Sequence, residues 1–225
     1  MNIPNIKEIN SGTLADVMDS LGFFGGFTPK IKCLGHSKVR FLGTAYTIKW
    51  MQNRKAGDIK AKQDSTWDQV KSFLASEILN GEGLVYVAGT DTGKLVEEMA
   101  LLGGFSTTDL VKRGFSGAVL GGAIRDAQVI NKVGFTVWAT GFMPADTQGS
   151  YRVVETGTEC NVGGQLVKTG DWIFSDETGL ISIPSRIAEK VFEGALEVEA
   201  KEHLLAKELE KGYSLFEVVN RLGRL

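Results

Sequence analysis

The sequence predicts an α/β fold with a mainly parallel sheet, followed by a β-rich segment and a helical C-terminal extension. Up to about residue 140, short apolar runs next to glycine alternate with segments of helical periodicity. After about residue 150, short alternating segments are separated by Gly and Asp turns, and from Pro184 the apolar residues recur at helical spacing. Strands that alternate with helices favour parallel pairing, because each crossover carries a helix.

In the first part of the chain, the helical segments share apolar residues spaced three or four apart. They are predicted at Thr13 to Leu21, Trp67 to Leu79, Ser106 to Arg113 and Asp126 to Val133. The strand segments share runs of β-branched and other apolar residues. They are predicted at Gly43 to Trp50, Gly83 to Gly89, Gly117 to Leu120 and Thr136 to Ala139.

In the later part of the chain, four short segments with turn residues between them are typical of hairpins packed as a second layer. They are Tyr151 to Glu155, Gln165 to Lys168, Trp172 to Phe174 and Leu180 to Ile183. Ser185 is predicted to cap the following helix, which belongs to an extension over about 185–225. Its many Glu and Lys residues indicate a solvated face, and a subunit contact through this helix is the alternative.

The composition restricts the class of protein. The chain has 225 residues, 43% hydrophobic and 23% charged, enough for a sizeable core, and we expect one domain over 1–225. A formal net charge of −2 gives no basic surface for nucleic acid. The sequence has no signal-peptide pattern and no apolar run long enough for a bilayer, so we expect a cytoplasmic protein without membrane contact. Cys33 and Cys160 are interpreted as reduced packing residues.

The strongest candidate for chemistry is Arg125-Asp126, which follows the run Ala118-Val119-Leu120 and the glycines Gly121-Gly122. We predict a glycine turn here, because glycine accepts positive φ and lets backbone approach a ligand. An arginine matches a carboxylate, and an adjacent aspartate offers oxygen to Mg²⁺ or Mn²⁺. The pair follows a predicted strand, where α/β sheets bind ligands. The alternative is an ordinary surface ion pair.

A second candidate lies twenty residues before the pair, at Gly103-Gly104-Phe105-Ser106. These residues open a predicted helix, and the unpaired N–H groups and dipole of a helix start favour an anion. We predict that they bind the carboxylate that Arg125 holds from the other side. A plain loop before a helix is the alternative.

Other polar and aromatic residues point to structural roles. His36 and His203 are the only histidines and lie far apart, which disfavours a histidine metal site or catalytic triad. Asp171 and Asp176 suit turn geometry. Trp50, Trp138 and Trp172 most simply fill core or interface.

The chain resembles the family that contains the regulator of ribonuclease activity A and the 4-hydroxy-4-methyl-2-oxoglutarate aldolases, also labelled demethylmenaquinone methyltransferase-like. Blocks in the same order carry this resemblance, and they are Thr13 to Asp16, Gly43 to Thr47, Gly121 to Asp126, Tyr151 to Val154 and Gly170 to Pro184. No glycine-rich cofactor loop of a methyltransferase stands out.

The resemblance implies a layered β/β/α fold similar to swivelling domains, in a homotrimer or pair of trimers. It implies a lyase in which Arg125 binds the carboxylate of a 2-oxo acid, with the backbone amides of Phe105 and Ser106, and Asp126 ligates Mg²⁺ or Mn²⁺. The metal would stabilise the enolate left after carbon–carbon cleavage. The same parts would serve an aldolase and an oxaloacetate decarboxylase.

Departures from the family pattern affect the substrate more than the site. The aldolases carry an acid where this chain has Gly104, another where it has Val129, and Asp-Gly where it has Gly121-Gly122. They also bring a glutamate from the C-terminal helix of a neighbouring subunit, for which Glu199 is our candidate and Glu202 the next. A non-catalytic regulator that binds a ribonuclease, and an enzyme acting on another oxo acid or a sugar acid, are the alternative functions.

Overall fold

The computed structural model describes residues 4–34, 39–53 and 69–222. The helices of these residues are α1 (Ser11–Ser20), α2 (Val70–Phe73), α3 (Gly104–Lys112), α4 (Ala127–Val133), α5 (Ala188–Glu210) and α6 (Leu215–Leu222), with a 3-10 turn at Ser185–Ile187. The strands are β1 (Lys32–Cys33), β2 (Phe41–Gln52), β3 (Leu84–Thr90), β4 (Val96–Leu102), β5 (Gly117–Leu120), β6 (Gly122–Ile124), β7 (Val137–Ala139), β8 (Tyr151–Thr156), β9 (Glu159–Val162), β10 (Gln165–Lys168), β11 (Trp172–Ser175) and β12 (Leu180–Ile183).

The centre of the fold is a mixed sheet in which β2, β3, β5 and β7 run parallel. Along the main path the strand order is β1-β7-β5-β3-β2-β11-β12, and β4 and β6 form a separate parallel pair. The predicted α/β class with a parallel centre and a helical C-terminal extension is therefore confirmed.

The later strands form hairpins, as expected, but they join the same hydrogen-bonded sheet. β11 pairs with the first part of β2 and β8 with its last part, on the edge of β2 opposite β3. The register of β2 against β8 shifts between Lys49 and Trp50, and such an irregularity bends a strand locally. The predicted second layer is thus confirmed within one continuous sheet, because Val167 and Ile173 of the later strands pack in one buried cluster with Val87 of the parallel strands. Long strand β2 links the two groups of strands.

Two buried clusters on one face of the sheet hold the helices in place. Leu110 of α3 and Ile130 of α4 belong to the same cluster as Ile48 and Tyr86 of the parallel strands. At the other end of that face, α1 and the first half of α5 bury a second cluster against β11 and β12, including Leu14, Val191, Phe192 and Phe174.

Two helix predictions need correction. The predicted helix Trp67 to Leu79 begins outside the described residues, and after Phe73 the chain turns, with φ of 50° at Ala75. The Arg113 guanidinium donates to the carbonyl oxygens of Leu74, Ala75 and Ile78, and Ala75 O also accepts the N–H of Ile78 in a turn. These bonds hold the chain in turns where the helix was predicted to continue.

The predicted cap of the C-terminal helix is also wrong. The side chain of Ser185 makes no capping bond, and its N–H donates to Asp171 Oδ1 at 3.0 Å. α5 begins three residues later, at Ala188. Asp171 instead ties the turn to the start of the extension, which fits the structural role predicted for it.

Asp176 is likewise structural. Its buried carboxylate accepts hydrogen bonds from the N–H and the hydroxyl of Ser11 and from the N–H groups of Thr178 and Gly179. Burial by itself raises the pKa of Asp176, but these hydrogen bonds lower it overall. His36 lies outside the described residues, and His203 is exposed on α5.

Candidate active site

The parallel pair β4 and β6 brings the two predicted segments together. Leu102 at the end of β4 lies opposite Ile124 at the end of β6, and the N–H of Arg125 donates to Leu102 O at 3.0 Å. Because the strands are parallel, their carboxyl ends meet at one edge. Gly103 and Arg125, the residues that follow the two strands, therefore lie side by side.

The predicted glycine turn before the pair is wrong. The chain bends at Gly121, and Gly122 then enters β6, with neither glycine at positive φ. Gly122 is needed for close packing instead, because a Cβ there would lie 2.7 Å from Leu101 Cδ1 and 3.0 Å from Val96 O. The positive φ falls on Asp126, at φ 59° and ψ 44°. Aspartate is among the few non-glycine residues that adopt this left-handed conformation readily.

Asp126 is held where β6 passes into α4. Its Oδ2 accepts the N–H of Gly104 at 2.9 Å, which ties it to the start of α3. A Cβ at position 103 would lie 2.9 Å from the same oxygen and 3.2 Å from Arg125 Nε. Gly103 therefore leaves the room that both side chains occupy. Within the described part of the chain, the second carboxylate oxygen, Oδ1, accepts no hydrogen bond.

Arg125 lies between two carboxylates. Its Nε is 3.8 Å from Asp126 Oδ2, and its Nη1 is 3.4 Å from Asp146 Oδ2. The side chain of Arg125 is 35% exposed, so the guanidinium is held by its neighbours and still open to a ligand. Asp146 was not among the site residues predicted from the sequence. Its position in the loop after strand β7 was the available signal, because β7 is another parallel strand whose end faces this region of the sheet.

The start of α3 leaves backbone N–H groups outside the hydrogen-bond ladder of the helix. Thr107 donates the first backbone bond of this helix, to Gly103 O at 2.9 Å, so the N–H groups of Phe105 and Ser106 precede the ladder. The side chain of Phe105 is 80% exposed, and its candidate role is confined to its backbone.

These groups share one small cavity of about 50 Å³. Its polar side is formed by Gly103, Gly104, Phe105, Ser106, Arg125, Asp126, Asp146 and Thr147. Its apolar side is formed by Trp50, Phe73, Ala100, Leu101 and Leu102. The indole of Trp50 is buried and stacks on Phe73, with ring centroids 6.2 Å apart. Trp50 thus fills the core, as predicted, and also closes one side of the cavity.

The candidate glutamates, Glu199 and Glu202, lie on α5 and not at the cavity that contains Arg125. Glu199 Oε1 accepts hydrogen bonds from Asn10 Nδ2 and, at 2.7 Å, from Thr13 Oγ1, at the start of α1. Burial, together with the negative charges of Glu199 and Asp16, raises the pKa of Glu202. Neither glutamate lines the cavity formed by its own chain. Their proposed contribution to a neighbouring subunit stays a prediction.

The donor set suits a hydrated metal ion better than a cage of protein ligands. Among residues 4–34, 39–53 and 69–222, no group of three or more His, Cys, Asp or Glu side chains could hold a metal. Mg²⁺ is commonly bound through one or two carboxylates, with water and substrate oxygens completing its coordination. The Oδ1 atom of Asp126 fits that mode.

Fold and site together define an α/β protein with an arginine and two carboxylates beside a helix start, at the ends of parallel strands. Residues 12–182 match the RraA-like family, described as Aldolase/RraA. The chain belongs to the RraA-like family, which confirms the resemblance seen in the sequence.

Relatives of this chain carry different names. Protein DlpA of Legionella pneumophila is 24% identical over 219 residues, 95% of this chain and 33% of DlpA, so the chain spans a third of that relative. A protein of Albidiferax ferrireducens named "Putative 4-hydroxy-4-methyl-2-oxoglutarate aldolase" is 27% identical over 169 residues, 75% of this chain and 90% of that protein.

A solved structure supports the fold. Streptomyces coelicolor RraAS2, described as an unusual member of the RNase ES inhibitor RraA protein family, aligns with a TM-score of 0.71 at 21% identity. The alignment covers 91% of this chain and 98% of that chain.

Proposed function

We propose that this protein is a divalent-metal-dependent lyase that cleaves a carbon–carbon bond of a 2-oxo acid through pyruvate enolate. The candidate substrates are 4-hydroxy-2-oxo acids, cleaved as by an aldolase, and oxaloacetate, which would be decarboxylated. The observation that carries the proposal is the convergence of Arg125, Asp126 and the start of α3 on one cavity. The name of the Albidiferax relative supports the same class.

The substrate carboxylate is the group that this site is best suited to bind. Arg125 offers a planar pair of donors, and the N–H groups of Phe105 and Ser106 precede the hydrogen-bond ladder of α3. Apolar residues such as Leu102 also line the cavity and can pack against the carbon chain of the substrate.

Asp126 is the proposed ligand of Mg²⁺ or Mn²⁺, with Glu199 of a neighbouring subunit as a further candidate. The metal, when bound, supplies positive charge that stabilises the negative charge developing on the 2-oxo oxygen. The N–H of Gly104 holds Asp126 Oδ2 and so orients the remaining oxygen. We further propose a homotrimer or a pair of trimers and a cytoplasmic location. No helix among the described residues is long and apolar enough to span a membrane.

The test is pyruvate release from oxaloacetate and from a 4-hydroxy-2-oxo acid, with Mg²⁺ or Mn²⁺ and with EDTA. Arg125→Ala removes a charge-assisted hydrogen bond of about 1.5–3 kcal/mol, which should raise KM for both substrates by about 10- to 150-fold. Arg152→Ala, at an exposed arginine on β8, is the matched control and should behave like wild type.

Wild-type protein without divalent-dependent activity on either substrate would refute the lyase. A second candidate, favoured by the likeness to RraAS2, is a regulator that binds a ribonuclease. Inhibition of a ribonuclease by both wild type and Arg125→Ala, with no turnover of oxo acids, would support this second function.

A further inference from the structure

The cavity contains a second carboxylate, Asp146, which lies on the other side of the Arg125 guanidinium from Asp126. Asp146 Oδ2 is 3.4 Å from Arg125 Nη1, whereas Asp126 Oδ2 is 3.8 Å from Arg125 Nε. The Asp146 side chain is 29% exposed, and the residue lines the cavity. The two acids therefore approach a ligand held by Arg125 from different directions.

The loop that carries Asp146 is fixed by hydrogen bonds to the site strands. Ala145 O accepts the N–H of Ala100 in β4 at 2.8 Å, and Met143 N donates to Ile124 O in β6 at 2.9 Å. Within the loop, Asp146 Oδ1 accepts the N–H of Gln148 at 2.9 Å. One carboxylate oxygen thus anchors the side chain, and the other is turned toward the guanidinium.

The two acids are suited to different tasks. Asp126 Oδ2 is engaged by Gly104, and this residue is the proposed metal ligand. Asp146 is a carboxylate beside the residue that would bind the substrate carboxylate. In a 4-hydroxy-2-oxo acid, the hydroxyl-bearing carbon is three bonds from the carboxylate carbon, so a proton acceptor has to lie close to the carboxylate clamp.

We propose that Asp146 is the general base that removes the hydroxyl proton during aldol cleavage, an inference that rests on the proposed lyase function. The carboxylate takes the proton from the 4-hydroxyl group, and the O–H electron pair forms the new carbonyl. The bond between C3 and C4 breaks, and its electron pair forms the enolate of pyruvate. The proton on Asp146 can then be returned to C3, which leaves pyruvate and an aldehyde or ketone with no net gain or loss of protons or electrons.

Decarboxylation of oxaloacetate provides an internal comparison. In oxaloacetate, C4 is a carboxylate that leaves as carbon dioxide, so this substrate has no hydroxyl proton to remove. A general base acting on the 4-hydroxyl is therefore needed for one of the two reactions and not for the other. A residue that only positions Arg125 would affect both.

The experiment compares both reactions in wild type and in Asp146→Asn, which keeps the side-chain shape and an acceptor for Arg125. General-base catalysis contributes typically 10²–10⁴-fold, so kcat for aldol cleavage should fall by at least about 100-fold. Oxaloacetate decarboxylation should lose far less, so the ratio of the kcat for aldol cleavage to the kcat for decarboxylation should fall by at least about 30-fold. Asp91→Asn is the matched control, since Asp91 is an exposed loop aspartate whose Oδ1 also accepts a local N–H, from Thr92 at 2.9 Å.

Equal losses in the two reactions would overturn the assignment of Asp146 as base and leave the lyase intact. Unchanged aldol cleavage in Asp146→Asn would overturn it as well. Wild-type protein that turns over neither substrate would refute the lyase itself and this inference with it. Circular dichroism and thermal melting of Asp146→Asn separate these outcomes from a folding defect, and Asp146→Glu, which restores a carboxylate, should recover part of the aldol activity.

Discussion

Replacing Asp126 by Asn, Gly and Ala separates its backbone role from its proposed chemical role. Asp126 has φ 59°, and left-handed backbone costs an ordinary L-residue about 1–2 kcal/mol. Asn tolerates this conformation and still offers an oxygen to the N–H of Gly104, Gly tolerates it without that oxygen, and Ala lacks both advantages.

The expected order of stability follows from these terms. We expect Asp126→Ala to be less stable than Asp126→Asn by about 1–2 kcal/mol, mainly from the left-handed backbone. The lost hydrogen bond to Gly104 adds little to this difference, because the side chain is 46% exposed to water. For a chain of this size, that difference corresponds to about 2–8 °C in Tm. Asp126→Gly should be at least as stable as Asp126→Ala. All three variants should lose divalent-dependent release of pyruvate, because none retains the carboxylate.

The assay is thermal unfolding followed by circular dichroism, with pyruvate release measured on the same samples. The control is the Asn and Ala pair at Asp91, an exposed position without positive φ, where the two variants should differ by less than about 0.5 kcal/mol. If Asp126→Ala melts within 1 °C of Asp126→Asn, the backbone argument is wrong. If either variant keeps full activity at limiting metal, Asp126 is not the ligand.

Two further predictions concern packing and pH. A Cβ at position 104 would lie 2.8 Å from Val129 Cβ, so the effects of Gly104→Ala and Val129→Gly on the free energy of unfolding should not be additive. In a double-mutant cycle measured by urea unfolding, we expect a coupling energy of about 1–2 kcal/mol, and additivity within about 0.5 kcal/mol would contradict the contact. Asp176→Ala should lower the free energy of unfolding at pH 7 by at least about 3 kcal/mol, because it leaves several buried donors unpaired. Hydrogen bonds lower the pKa of Asp176 despite the opposing effect of burial, so its charged form stabilises the folded protein above the ordinary pKa of an aspartate. The loss of unfolding free energy caused by Asp176→Ala should therefore shrink as the pH falls below about 4. An equal loss at pH 3 and pH 7 would show that the charge is not responsible.

The parallel centre of the fold could be predicted because its strands are short apolar runs next to glycines. Gly117–Leu120 was placed at its observed bounds, and the strand over Leu84–Thr90 within a residue. Strand β4 was missed, since Glu97 and Glu98 interrupt its apolar pattern between buried Val96 and the three buried residues at its end. Its partner β6 was mistaken for a turn, because glycine chosen for close packing has the same sequence signature as glycine chosen for positive φ.

The pair Arg125-Asp126 and the start of α3 could be located because their chemistry is local in sequence. Asp146 was harder to locate, since its position after β7 is a weak signal and its place beside Arg125 depends on a loop fixed by hydrogen bonds from Ala100 and Met143. The same limit applies to Gly104, whose lack of a side chain matches the close approach of Val129. Such contacts between α3 and α4 are set by the register of β4 and β6, which composition does not reveal.

The placement of the cavity has a consequence for how this chain can diverge. Apart from Trp50 and Phe73, its lining comes from one continuous stretch, residues 100–147. The outer layer of α1 and α5 is drawn from the two ends of the chain and packs on the opposite strands, β11 and β12. Substitutions in this outer layer therefore leave the lining of the chain's own cavity unchanged. What they can alter is how the chain packs against a neighbour, including the proposed contribution of Glu199 on α5.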